Sequence, residues 1–131
     1  AVVLPSSEEE VKKVLSWANE GPFPIVTRGA GTGVAGCSVA LAGGVVLSLE
    51  RLDKIISVDT ENLTATCQPG VITETLQRQV EELGLFYPPD PASADTCSIG
   101  GNVAVGAGGA RAVKYGTTRD YVLGIHAGGA C

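Results

Sequence analysis

Lysine and arginine form no cluster in this chain: nine of them are scattered through 131 residues against 14 acidic side chains, leaving a net charge of −5. That balance excludes a surface that tracks nucleic-acid phosphates, and it requires any anionic ligand to be held locally. No apolar run approaches the roughly 20 residues of a membrane span, and no charged n-region followed by an apolar h-region opens the chain. A cytoplasmic, intracellular protein is expected. No Cys-x-x-Cys pair occurs: Cys37, Cys67, Cys97 and Cys131 stand far apart, which argues against a zinc or thioredoxin-type site and for free thiols acting as small buried hydrophobes. The single histidine, His126, follows a strand-like run and is read as structural. No metal site and no catalytic residue is nominated, and no internal repeat is convincing.

Glycine is what the chain has in quantity, 18 residues of it, concentrated in two stretches. Arg28-Gly29-Ala30-Gly31-Thr32-Gly33-Val34-Ala35-Gly36 follows an apolar run, and Ser98-Ile99-Gly100-Gly101-Asn102 continues to Gly106-Ala107-Gly108-Gly109. Backbone without a Cβ approaches a phosphate closely, and successive N–H groups can converge on an anion. The two stretches suggest one long, phosphate-containing ligand.

Around them the elements alternate. Val2-Val3-Leu4 reads as a strand, and Ser6 or Ser7 with Glu9 or Glu10 three residues on reads as a capping box. Val11, Val14, Leu15 and Ala18 then mark one face of a helix that Gly21 closes. Strands follow at 24–27 and 45–49, a hairpin at 55–59 and 63–68, and a second helix capped by Thr73 with Ile72, Leu76, Val80 and Leu83 on one side and Gly84 at its end. Pro88-Pro89-Asp90-Pro91 forbids regular structure. From Ser93 to Gly116 the chain reads as loop with at most one short helical turn, serving as a ligand wall because Ile99, Val103, Val105 and Val113 are too apolar for a free linker.

Gly31-Thr32-Gly33-Val34-Ala35-Gly36 matches the dinucleotide fingerprint G-x-G-x-x-G, but only residues 37–44 separate it from the next strand, too few for a crossover helix. Gly31 to Ser38 also matches the Walker pattern except that Cys37 stands where lysine belongs. Neither reading holds, and glycines that merely make turns remain the plain alternative.

Taken in order, Pro5 to Val11, Arg28 to Gly33, Gly44 to Leu49, Gln68 to Val71, Pro89 to Ser93, Cys97 to Val103 and Lys114-Tyr115-Gly116 closely resemble the PCMH-type FAD-binding domain, nearest the glycolate oxidase flavoprotein subunit and D-lactate dehydrogenase group. The likeness covers nearly the whole chain and fades after Ile125. It implies an α/β (α+β) fold with a small βαβ subdomain over about 1–58 and an incomplete second mixed-sheet subdomain over about 59–131, within one FAD-binding domain of residues 1–131. Gly29, Ala30, Gly31, Thr32 and Gly33 resemble the loop around the FAD pyrophosphate, with Arg28 bracing it. Pro69, Gly70 and Val71, then Asp90 and Ser93, then Thr96, Cys97, Ser98, Gly100, Gly101 and Asn102, and finally Gly108, are similar to the segments lining flavin, ribityl and adenine, with Ile125 at the adenine end.

Some members attach flavin through a histidine that here is Thr32, and others through a cysteine near Cys97. Because Thr32 cannot form that bond and the lactate and glycolate type holds dissociable FAD, noncovalent FAD is expected. The resemblance implies oxidation of a 2-hydroxy acid of glycolate or D-lactate type, by hydride transfer to flavin N5. The substrate groups belong to a downstream cap domain, so this chain is expected to be inactive alone, and an oligomer or a partner subunit is expected beside it. The alternative is a non-catalytic FAD or nucleotide binder that needs a partner chain.

Overall fold

The computed structural model describes residues 1–128. They form two small sheets and four helices. β1 (Val2–Val3), β2 (Ile25–Arg28) and β3 (Val45–Ser48) form a parallel sheet with β3 in the middle, Val46 facing both Val2 and Val26 across the ladder. A central parallel strand is covered on both faces and reads as an apolar run, which Val45-Val46-Leu47 is. Val45 and Leu47 are buried.

The helix α1 (Glu8–Asn19) makes the crossover from β1 to β2. Ser7 is its N-cap and accepts from the Glu10 amide at 3.3 Å. Glu10 reaches back to the amide and hydroxyl of Ser6, so the expected box is shared between two serines. These bonds hold the Glu10 carboxyl below its ordinary range. Gly21 does not adopt the left-handed turn expected of a closing glycine; its bare Cα instead leaves room for Phe23, which stacks on Trp17 at 4.7 Å.

The hairpin follows as β4 (Ile55–Asp59) and β5 (Thr64–Cys67), antiparallel, so one pairing unit spans residue 58. Its turn is closed by the Asp59 carboxylate, which accepts from the Glu61 and Asn62 amides and from Asn62 Nδ2. α2 (Thr73–Glu81) packs Leu76 and Val80, with Val71 ahead of it, against Ile55, Val58 and Cys67. Gly84 at φ 75° ends it, with Leu85 N–H donating to the Val80 carbonyl, whereas Leu83 faces outward.

Three expectations need correction. Thr73 does not cap α2: the cap is Ile72, which offers no side-chain bond, and Thr73 is fully buried. The last third is not loop with one turn but α3 (Ile99–Val105), α4 (Ala112–Tyr115) and a 3-10 turn (Thr118–Tyr121). Two glycines in the first turn of α3 conceal it by propensity, yet Ser98 caps it and Gly106, at φ 64°, ends it. Cys37 is exposed and no buried hydrophobe; Cys67 is half-buried and Cys97 buried, all three as free thiols, while Cys131 lies outside the described residues. Among the described residues no helix is long and apolar enough to cross a membrane.

Candidate functional site: a cleft between a glycine loop and α3

Where β2 ends, the chain leaves the sheet at Gly29. A Cβ there would occupy the position of Ser98 Oγ, so only glycine lets the loop lie against the start of α3. Gly31 has φ 74°, and a Cβ on it would stand 2.7 Å from Arg28 Nε, which shows the guanidinium folded over the loop as a brace. Beyond Ala30 the loop through Cys37 is exposed. Its amides from residue 30 to 35 donate no hydrogen bond among the described residues, leaving six consecutive N–H groups open.

The opposite wall is built the other way. Gly70 packs against the carbonyls of Leu49 and Leu52, and its amide donates to Leu52 at 2.7 Å. From this base the Pro69 carbonyl takes the Gly100 amide and the Val71 carbonyl takes the Ile99 amide, both at 2.8 Å. The Gly101 amide goes to Ser98 Oγ at 3.4 Å and that of Asn102 to the Ser98 carbonyl. All four amides opening α3 are therefore in use. Behind them, Asn102 Nδ2 donates to Thr73 Oγ1 at 2.7 Å, and Thr73 Oγ1 in turn lies 3.2 Å from the Cys97 carbonyl and 3.1 Å from its Sγ.

Between the walls lies a cleft of about 150 Å³. It brings together Gly29, Ala30, Gly31, Thr32 and Gly33 with Cys97, Ser98, Gly101 and Asn102. Pro69, Gly70, Val71 and Gly100 stand behind α3 as its support. Ser93 and Thr96 form the turn before Cys97, whose amide donates to the Ser93 carbonyl. Asp90 pairs with Arg111 at 3.3 Å and its carbonyl packs on Gly109, next to Gly108. Ile125 is 68% exposed and outside the cleft.

The cleft also includes Thr27, Ala35, Cys37, Ser38, Ala104 and Val105, which sequence reasoning did not nominate. Ser98, Gly101, Asn102 and Val105 are spaced as one helical face, and that signal could have identified Val105 had α3 been recognised. No lysine lines the cleft; its donors to an anion are the open loop amides, with the Arg28 guanidinium folded over the loop beside them. His126, 80% exposed, lies away from it beside Glu8 at 3.4 Å.

A parallel βαβ unit whose glycine loop offers open amides across from a rigid helix is the architecture of an α/β domain for a phosphate-bearing cofactor. The chain belongs to the FAD-binding domain family, whose model matches residues 1–127. It is 48% identical over 125 residues to the glycolate oxidase subunit GlcD of Bacillus subtilis, covering 95% of this chain and 27% of that protein. To the D-lactate dehydrogenase of Anaerostipes hadrus it is 46% identical, over 92% of this chain and 25% of that one. An alkyldihydroxyacetonephosphate synthase structure superposes with a TM-score of 0.82 at 29% identity, over 93% of this chain and 23% of that chain. The chain thus spans about a quarter of the length of the relatives it matches.

Proposed function

We propose that this domain binds FAD noncovalently in the cleft between residues 29–33 and α3, as part of an oxidoreductase that oxidises a 2-hydroxy acid of glycolate or D-lactate type. The run of open amides at 30–35 carries the reading: a diphosphate needs donors, and this chain leaves six backbone amides unpartnered in one loop. Gly29 and Gly31 fit that role because side chains there would fill the cradle. Cys97, Ser98, Gly101 and Asn102 face the rest of the cofactor, with Pro69, Gly70, Val71, Gly100, Ser93 and Thr96 supporting them. Asp90, Gly108 and Ile125 belong to a further, outer part of the same site.

FAD held here by residues 29–33 and α3 would supply a hydride acceptor, at flavin N5, for oxidation of the hydroxy acid. This chain's residues hold and orient the cofactor, while the groups that take the substrate proton lie in the rest of the protein. Thr32 lacks the imidazole that histidine would offer for attachment at that position, which supports a dissociable cofactor. Because the chain spans about a quarter of its relatives, a second reading is a FAD-binding unit without turnover of its own.

Incubation with FAD followed by gel filtration tests this directly. A co-eluting flavin band with a shifted spectrum, released by trichloroacetic acid, is expected. Protein eluting without flavin overturns the binding, and flavin remaining on the acid-precipitated chain overturns the noncovalent mode. Bleaching of the band by glycolate or D-lactate, measured on the domain together with the rest of its protein, separates the first reading from the second.

A further inference from the structure

We infer that Thr73, which does not touch the cleft, is a positioning residue for it; this rests on the cofactor reading above. The side chain is fully buried at the first residue of α2, and its hydroxyl plays no part in capping that helix. A hydroxyl carries one proton and two lone pairs, and here they serve two cleft residues. Asn102 Nδ2 donates to Oγ1 at 2.7 Å, and Oγ1 donates onward to the Cys97 carbonyl at 3.2 Å, with the Cys97 Sγ at 3.1 Å. The Thr73 amide adds a second bond to the same carbonyl at 3.0 Å.

One buried atom thus ties α2, the turn ending at Cys97 and the body of α3. With one Nδ2 proton committed to Thr73, Asn102 keeps Oδ1 and its second Nδ2 proton, and Thr73 fixes which way this amide is turned at the cleft. Without the hydroxyl, Asn102 is free to rotate and the Cys97 thiol loses its partner.

Thr73→Ser and Thr73→Ala both remove the methyl group and differ only in the hydroxyl. In the full chain two readouts apply: FAD affinity by flavin fluorescence titration, and the rate of Cys97 alkylation by iodoacetamide without FAD, located by peptide mass spectrometry. Thr73→Ser is expected to keep affinity within about threefold, while Thr73→Ala weakens FAD about tenfold and speeds Cys97 alkylation by a similar factor, as loss of one or two buried hydrogen bonds implies. Alanine and serine variants that agree in both readouts overturn the inference. So does an alanine variant that unfolds, by circular dichroism, while serine holds, because Thr73 would then serve stability alone. Wild-type protein that retains no FAD refutes the cofactor reading, and the alkylation rates still decide the role of Thr73.

Discussion

The two walls of the cleft are both glycine-rich, yet glycine does opposite things in them. On the first, Gly29 brings the backbone close to α3 and Gly31 makes room for the Arg28 guanidinium, and the amides of 30–35 are left without partners. On the second, Gly70 and Gly100 let backbone pack on backbone until every amide opening α3 has a carbonyl or hydroxyl. Glycine-rich sequence by itself therefore does not mark a ligand loop. What distinguishes the walls is where the donors go, open to solvent on one and committed to the protein on the other.

If this contrast is right, substitutions should divide into binding and stability effects. Gly29→Ala drives a Cβ into Ser98 Oγ, an overpacking of about 1–3 kcal/mol that is relieved by moving the loop off α3. FAD affinity should fall by roughly 10–100-fold with little change in melting temperature. Ser98→Ala removes the obstructing atom together with the cap of α3, so the double variant should bind about as well as Ser98→Ala alone; a double variant in which the two losses add would break the argument. Gly100→Ala places a Cβ 2.6 Å from that of Pro69, where no flexible group can yield. The helix gains about 1 kcal/mol in propensity but loses more to the clash, so the melting temperature should drop by roughly 3–8 °C. An unchanged melt would show that the second wall is looser than its hydrogen bonds suggest.

The smallest effect is in pH. Burial pushes the Tyr87 phenol above its ordinary 10.0 and the Cys67 thiol above 9.0. In the unfolded chain both ionise earlier, so the stability they support is complete below pH 9 and declines as pH rises through the folded values. Urea unfolding from pH 8 to 11 should show that decline, and Tyr87→Phe should flatten its upper part. Tyr87 also packs its ring on Tyr121, so the loss belongs to the side of the molecule that holds α3.

Much of this was readable from the residues. Alternating apolar runs found the three parallel strands and the hairpin, and the serine and glutamate spacing found α1, because these signals are local and nothing distant overrides them. Thr73 was misread for the complementary reason: a threonine ahead of a helix looks like a cap, and only the fold reveals Cys97 and Asn102 as its partners. α3 was hidden because Gly100 and Gly101 lower helix propensity, a cost offset by contacts to Pro69 and Val71 that lie about 30 positions earlier in the chain. The cleft was half legible. Its first wall is a contiguous segment, whereas the split between residues that line α3 and those that support it is a matter of depth, which spacing does not encode.

The stacked pair at the end of α1 has a practical meaning. Trp17 is the chain's single tryptophan, it lies parallel to Phe23 with both rings about half exposed, and it is no part of the cleft. Its emission therefore reports the corner where α1 hands the chain to β2, so ultraviolet fluorescence follows the parallel sheet while bound flavin follows the opposite end of the same strand, two optical channels for two ends of β2.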